Sequence, residues 1–131
     1  MTQKGTLTIT SLLSVLLFQL HWVDEVARGI ETAGVSALGG VLILVVWLYG
    51  TVILGDRRSG HIIMVLGSIL GFGVLVIHMR GAGLIGGRIA ANSSGAFFWV
   101  WTLIMLGVMS SVSAILSAGG LWRLRGQSSA T

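Results

Sequence analysis

The chain has 131 residues, 54% of them hydrophobic and only 9% charged, with a net charge of +4. A soluble domain carries about 25% charged residues, so a soluble globular protein is excluded. The absence of cysteine removes disulfides, thiolate metal sites, iron–sulfur clusters and covalent c-type haem, and the cations form no basic stripe that would take nucleic acid.

The intervals 32–55, 62–79 and 89–122 contain no Asp, Glu, Lys or Arg. A membrane-spanning helix needs roughly 20 apolar residues, and four such segments use most of the chain. The expectation is therefore an all-α integral membrane protein. It has a single domain, 1–131, and four transmembrane helices in a compact up-down bundle.

The first segment, about 6–28, follows Lys4 and has the outline of a signal peptide. However, Glu25 stands two residues before Ala27, where a cleavage site requires a small residue, so the segment reads as a permanent anchor. Its end gathers His21, Asp24, Glu25 and Arg28. On a helix turning ~100° per residue, Ser14, His21, Glu25 and Arg28 fall within about 60° of one another, with Asp24 beside them.

The second segment, about 34–54, shows a small face at Ala33, Ala37 and Gly40 and ends in the polar turn Asp56-Arg57-Arg58-Ser59. In the third, about 61–79, Gly67 and Gly71 have the spacing that lets another backbone approach closely. His78 falls on the same face and is expected to look toward a neighbouring helix.

A glycine-rich loop follows. Gly81-Ala82-Gly83-Leu84-Ile85-Gly86 fits the dinucleotide fingerprint letter for letter, but it has no preceding strand and no βαβ frame, so no dinucleotide is expected. Its backbone N–H groups between Arg80 and Arg88 offer at most a place for an anion. Ser93 or Ser94 caps the fourth segment, about 95–118, in which Gly107, Ser111, Ala114 and Ala118 form a packing face. The tail 122–131 is polar and expected to fray.

Four spans place both termini on one side. That side carries Lys4, Arg57, Arg58, Arg123 and Arg125 against the single acid Asp56, whereas the other balances Arg28, Arg80 and Arg88 with Asp24, Glu25 and Glu31. The excess of cations makes the termini cytoplasmic by the positive-inside rule, in a plasma (inner) membrane. Trp47, Tyr49 and Trp122 would then mark the inner boundary and Trp22, Trp99 and Trp101 the outer one.

The same topology brings His21, Asp24, Glu25, Arg28, His78, Arg80 and Arg88 together at the outer boundary. One expectation is an ion-pair network in which the carboxylates of the first segment neutralise Arg80 or Arg88, and the histidines contribute little and independently. Against it stand three functional readings. His21, Glu25 and His78 are a ligand set for a transition metal. The two histidines are alternatively axial ligands of a b-type haem, with Gly71 leaving room beside the ring. A histidine among carboxylates also suits a proton path or a quinone headgroup. His61 reads as interfacial.

The size and helix number resemble those of small multidrug exporters and fluoride channels. Glu25, however, lies at the end of its span rather than deep within it, and the asparagine and phenylalanine signatures of the channels are not recognisable, so no family follows. The leading expectation is a non-catalytic protein without a cofactor, either an accessory subunit or a self-associating structural protein. Its partners would be the lipid bilayer and a homo-oligomer or larger membrane complex. The alternative is a binder of haem, quinone or metal, or a small transporter, using the outer cluster.

Overall fold

A computed structural model describes residues 2–29, 35–81 and 95–128, with side chains at all of these except 35–37, 80, 81, 96, 127 and 128. The expectations placed on Glu31, Ala33, Arg88, Ser93, Ser94 and the loop beyond Gly81 lie outside the described residues, as do the side chains of Ala37 and Arg80. The described residues form four helices, α1 (Gln3–Ala27), α2 (Val35–Val52), α3 (Arg58–Gly81) and α4 (Ala96–Ser128), and no strand.

Local chemistry explains the ends of α1. Thr2 is extended, and its hydroxyl accepts from the Gly5 N–H at 3.3 Å, which satisfies one of the donors that a helix start leaves open. At the other end Gly29 turns left-handed, at φ 67°, a conformation glycine takes without strain. With no proline to interrupt it, α4 runs for 33 residues, about 50 Å at ~1.5 Å per residue. It therefore passes well beyond 118, and most of the tail expected to fray is helical. Its Gly120 lies directly against the His61 ring of α3, a tertiary contact that holds the last turns.

Among the described residues three helices are long and apolar enough to cross a membrane, over Gln3–Ala27, Arg58–Met79 and Phe97–Gly126; in α2 the apolar stretch Leu38–Val52 is shorter. The distribution of side chains points the same way. Ile77, Ile115 and Phe97 are exposed, at 69%, 71% and 81%, while Ser11, Ser14, Ser68, Ser110, Ser113 and Ser117 are fully buried. A soluble protein places these groups the other way round. An apolar outside over an interior of small polar residues is how helices pack in lipid, where small side chains allow close approach.

Contacts between helices fix which ends meet. His61 lies on Gly120, Gly71 on Ser110 and Leu75 on Gly107, so α3 and α4 run antiparallel. His21 meets Thr102, and the Leu7 cluster meets Leu116, so α1 is antiparallel to α4 as well. The widest contacts are α3 with α4 and α1 with α4, whereas α1 and α3 touch little. The ends of α1 and α3 thus converge on the first turns of α4.

Gly67 and Gly71 sit at close contacts, as their spacing predicts: Gly67 under the Trp47 indole, and Gly71 against Ser110 and Leu106. Gly107 accommodates Leu75. Two expectations need correction. Ser111 and Ala114 are only partly buried, and the buried line of α4 is instead Ser110, Ser113 and Ser117, because α4 packs against α1 and α3 at once and presents the stripe midway between them. Trp47 and Trp99 are not boundary anchors but core residues, each 1% exposed. The Trp47 indole donates to Ser11 Oγ at 3.0 Å, and Ser11 meets Thr51 Oγ1 at 2.7 Å, so the polar end of the indole is satisfied inside the protein.

Candidate functional site

The polar residues of the first segment divide into two groups. Asp24 pairs with Arg28, Oδ2 to Nε at 2.8 Å, with both side chains largely covered. The far end of Arg28 rests on Gly95, whose φ of 91° opens α4. This pair bolts the end of α1 to the start of α4. It also removes Arg28 from competition for Glu25.

Glu25 faces inward, and among the described residues its partner is a histidine. Its Oε1 lies 2.7 Å from His78 Nε2 and 3.7 Å from His21 Nε2. The i,i+4 spacing on α1 places His21 one turn below Glu25, and α3 delivers His78 from the other side. His21, His78 and Trp99 form a triangle of rings, each pair with centroids 5.2 Å apart. The site is inside the protein rather than on its boundary, with His21 at 2% exposure and Trp99 at 1%.

Hydrogen-bond partners determine where the protons are. His78 Nδ1 lies 2.7 Å from the Val74 carbonyl oxygen, which can only accept, so Nδ1 carries a hydrogen. The 2.7 Å contact from Nε2 to the Glu25 carboxylate then sets one acceptor against another unless a cation, either a proton or a metal ion, lies between them. For His21, the Thr102 hydroxyl gives its hydrogen to the Phe98 and Trp99 carbonyls, at 3.0 Å each. It therefore accepts from His21 Nδ1 at 3.3 Å, which leaves the lone pair of His21 on Nε2. That nitrogen is buried and has no hydrogen-bond partner.

Both imidazoles thus turn their Nε2 lone pairs toward one carboxylate oxygen. The three ligand atoms lie within 4.8 Å of one another. In a tetrahedral site with metal–ligand bonds of ~2.0–2.2 Å, ligand atoms stand about 3.3 Å apart, and the two nitrogen–oxygen distances of 2.7 and 3.7 Å bracket that value. A backbone carbonyl on His78 Nδ1 and a hydroxyl on His21 Nδ1 are the supports that orient imidazole ligands. The set fits zinc-class ions, which take nitrogen and oxygen donors together.

Haem does not fit. A macrocycle between His21 and His78 would need the space held by the Glu25 carboxylate, and the gap expected at Gly71 is filled by Ser110 and Leu106. The two histidines face one carboxylate oxygen, at 2.7 and 3.7 Å. Sequence reasoning found His21, Glu25 and His78 but missed Trp99 and Thr102. Thr102, the lone hydroxyl within the apolar run 97–106, was the available signal. The Trp99 indole nitrogen is buried and close enough to act on the Glu25 carboxylate, short of a hydrogen bond.

Comparison with protein-family models, curated proteins and solved structures yields no match.

Proposed function

We propose that this is a four-span membrane protein that binds one divalent transition metal ion of the zinc class through His21, Glu25 and His78. The observation that supports this most is the buried, unpartnered Nε2 of His21 aimed at the same Glu25 oxygen that His78 Nε2 contacts. Three protein ligands leave a fourth coordination position open, as in sites that exchange or present their ion rather than bury it. The role is metal binding within a membrane assembly, not catalysis. The termini and the Asp56–Ser59 turn face the cytoplasm of a plasma membrane, with the metal site near the opposite face. In this up-down bundle the ion joins α1 to α3, which touch each other far less than either touches α4.

The test is a zinc titration of the purified full chain in detergent, by calorimetry and by melting temperature. One ion per chain should bind, and the melting temperature should rise with free zinc by mass action. His21→Ala, Glu25→Gln and His78→Ala should each abolish the rise, and the double histidine variant should add nothing further. A rise that survives both single histidine variants would reject the site.

A second reading has its own support. With a proton in place of the metal, the 2.7 Å His78–Glu25 contact is a buried hydrogen-bonded ion pair, and the protein is then a structural or accessory subunit. In that case zinc changes nothing, while Glu25→Gln and His78→Ala each destabilise the chain.

A further inference from the structure

At the opposite end of the molecule, the start of α1, the turn after α2, the first residues of α3 and the last turns of α4 enclose a cleft of about 200 Å³. Its walls are of two kinds. Lys4, His61 and Arg123 line one part, and Leu7, Leu116 and Leu124 the other.

The charges there do not balance. Asp56, the only acid among the described residues of this end, is already taken by Lys4 at 2.6 Å. Arg123 forms no ion pair among the described residues, and its Nε makes one long contact, 3.3 Å, to its own helix at Gly119. The His61 ring is pressed against Gly120, where a side chain would collide with it. His61 Nδ1 is buried there without a hydrogen-bond partner, and Arg123 and Asp56 are the charged groups that act on the ring. Arg57, Arg58 and Arg125 surround the cleft as further exposed cations.

A small phosphate alone would not need the leucine wall. The neighbouring Trp122 is 79% exposed, and tryptophans outside a membrane helix settle at headgroup depth. The cleft therefore opens where a lipid phosphate meets its acyl chains. We infer that it is a binding site for the headgroup of an anionic phospholipid, whose phosphate is held by Arg123 beside the His61 ring and whose glycerol and upper acyl carbons lie on Leu7, Leu116 and Leu124. The inference does not depend on the metal reading, since the two sites share no residue.

The experiment uses the full chain in a neutral detergent and measures lipid binding by native mass spectrometry against added phosphatidylglycerol, phosphatidylcholine or inorganic phosphate. Phosphatidylglycerol should bind with one-to-one stoichiometry and phosphatidylcholine should not compete. A basic residue facing an anionic headgroup is worth about a fivefold change in affinity, so Arg123→Gln should weaken binding by about that factor, while Arg123→Lys retains most of it. Arg125→Gln removes the same charge outside the cleft and should have much less effect. Equal losses in Arg123→Gln and Arg125→Gln would reduce the effect to general surface charge and overturn the site. So would equal retention of phosphatidylcholine, or displacement by inorganic phosphate at the same potency as by lipid.

Discussion

The Thr102 hydroxyl governs more than its size suggests. Its hydrogen is spent on two backbone carbonyls of its own helix, and this forces it to accept from His21 Nδ1 and fixes the lone pair on Nε2. Partners of this kind are worth about 10–100-fold in metal affinity. Thr102→Val, which keeps the shape and removes the oxygen, should therefore weaken zinc binding by about tenfold or more in a calorimetric titration while leaving the fold intact. Unchanged affinity would mean that Thr102 does not orient the ligand. The proton between Glu25 and His78 sets a second expectation. Zinc must expel it to use both atoms, so affinity falls as pH is lowered; titrations at a series of pH values should show each bound ion releasing protons. At this scale the sequence revealed which residues carry the chemistry. It could not reveal that Glu25 takes a histidine and Asp24 takes Arg28, because i,i+3 and i,i+4 spacing lets either carboxylate reach Arg28 or a neighbouring helix.

Among the helices, glycines in one element have opposite roles. A methyl group at Gly71 would meet Ser110 and Leu106, whereas one at Gly73, two residues away, would meet nothing within 4 Å. Gly71→Ala should lower thermal stability, by about 1–3 kcal/mol if the contact resists relaxation. Gly73→Ala should raise it by up to ~1 kcal/mol, since alanine is the better helix former. Effects of the same sign in the two melting curves would contradict the assigned contacts. The face of α3 was legible because only small residues recur at Gly67 and Gly71. The face of α4 was not, since alanines, serines and a glycine occur on several of its sides, and the choice among them depends on where α1 and α3 lie. Hydropathy also ends α4 too early: the apolar stretch stops, but the contact of His61 with Gly120 does not.

For the whole molecule, composition and the charge-free intervals were sufficient to imply an all-helical membrane protein, because lipid leaves a chain this apolar few alternatives. Among the described residues three helices have the required length and apolarity, and the expectation of four spans rests on α2, whose apolar stretch is shorter. The expected orientation rests on charge alone. Cysteines introduced singly at Ser59 and Ser93 in this cysteine-free chain should react with an impermeant thiol reagent on intact cells at Ser93 and not at Ser59; the reverse pattern would invert the molecule. The buried tryptophans show what hydropathy cannot tell: Trp47 and Trp99 are as apolar in the sequence as Trp122, and only tertiary structure distinguishes an indole that completes a core from one that sits at the membrane boundary.

The central claim is that two imidazoles and one carboxylate, contributed by α1 and α3, bind the same ion. X-ray absorption at the zinc edge on the loaded full chain, compared with His78→Ala, reads those ligands directly. Two imidazole nitrogens and a carboxylate oxygen are expected at ~2.0–2.2 Å, with that bound zinc and its imidazole scattering lost in the variant. A spectrum without imidazole scattering, or one unaltered by His78→Ala, would contradict it.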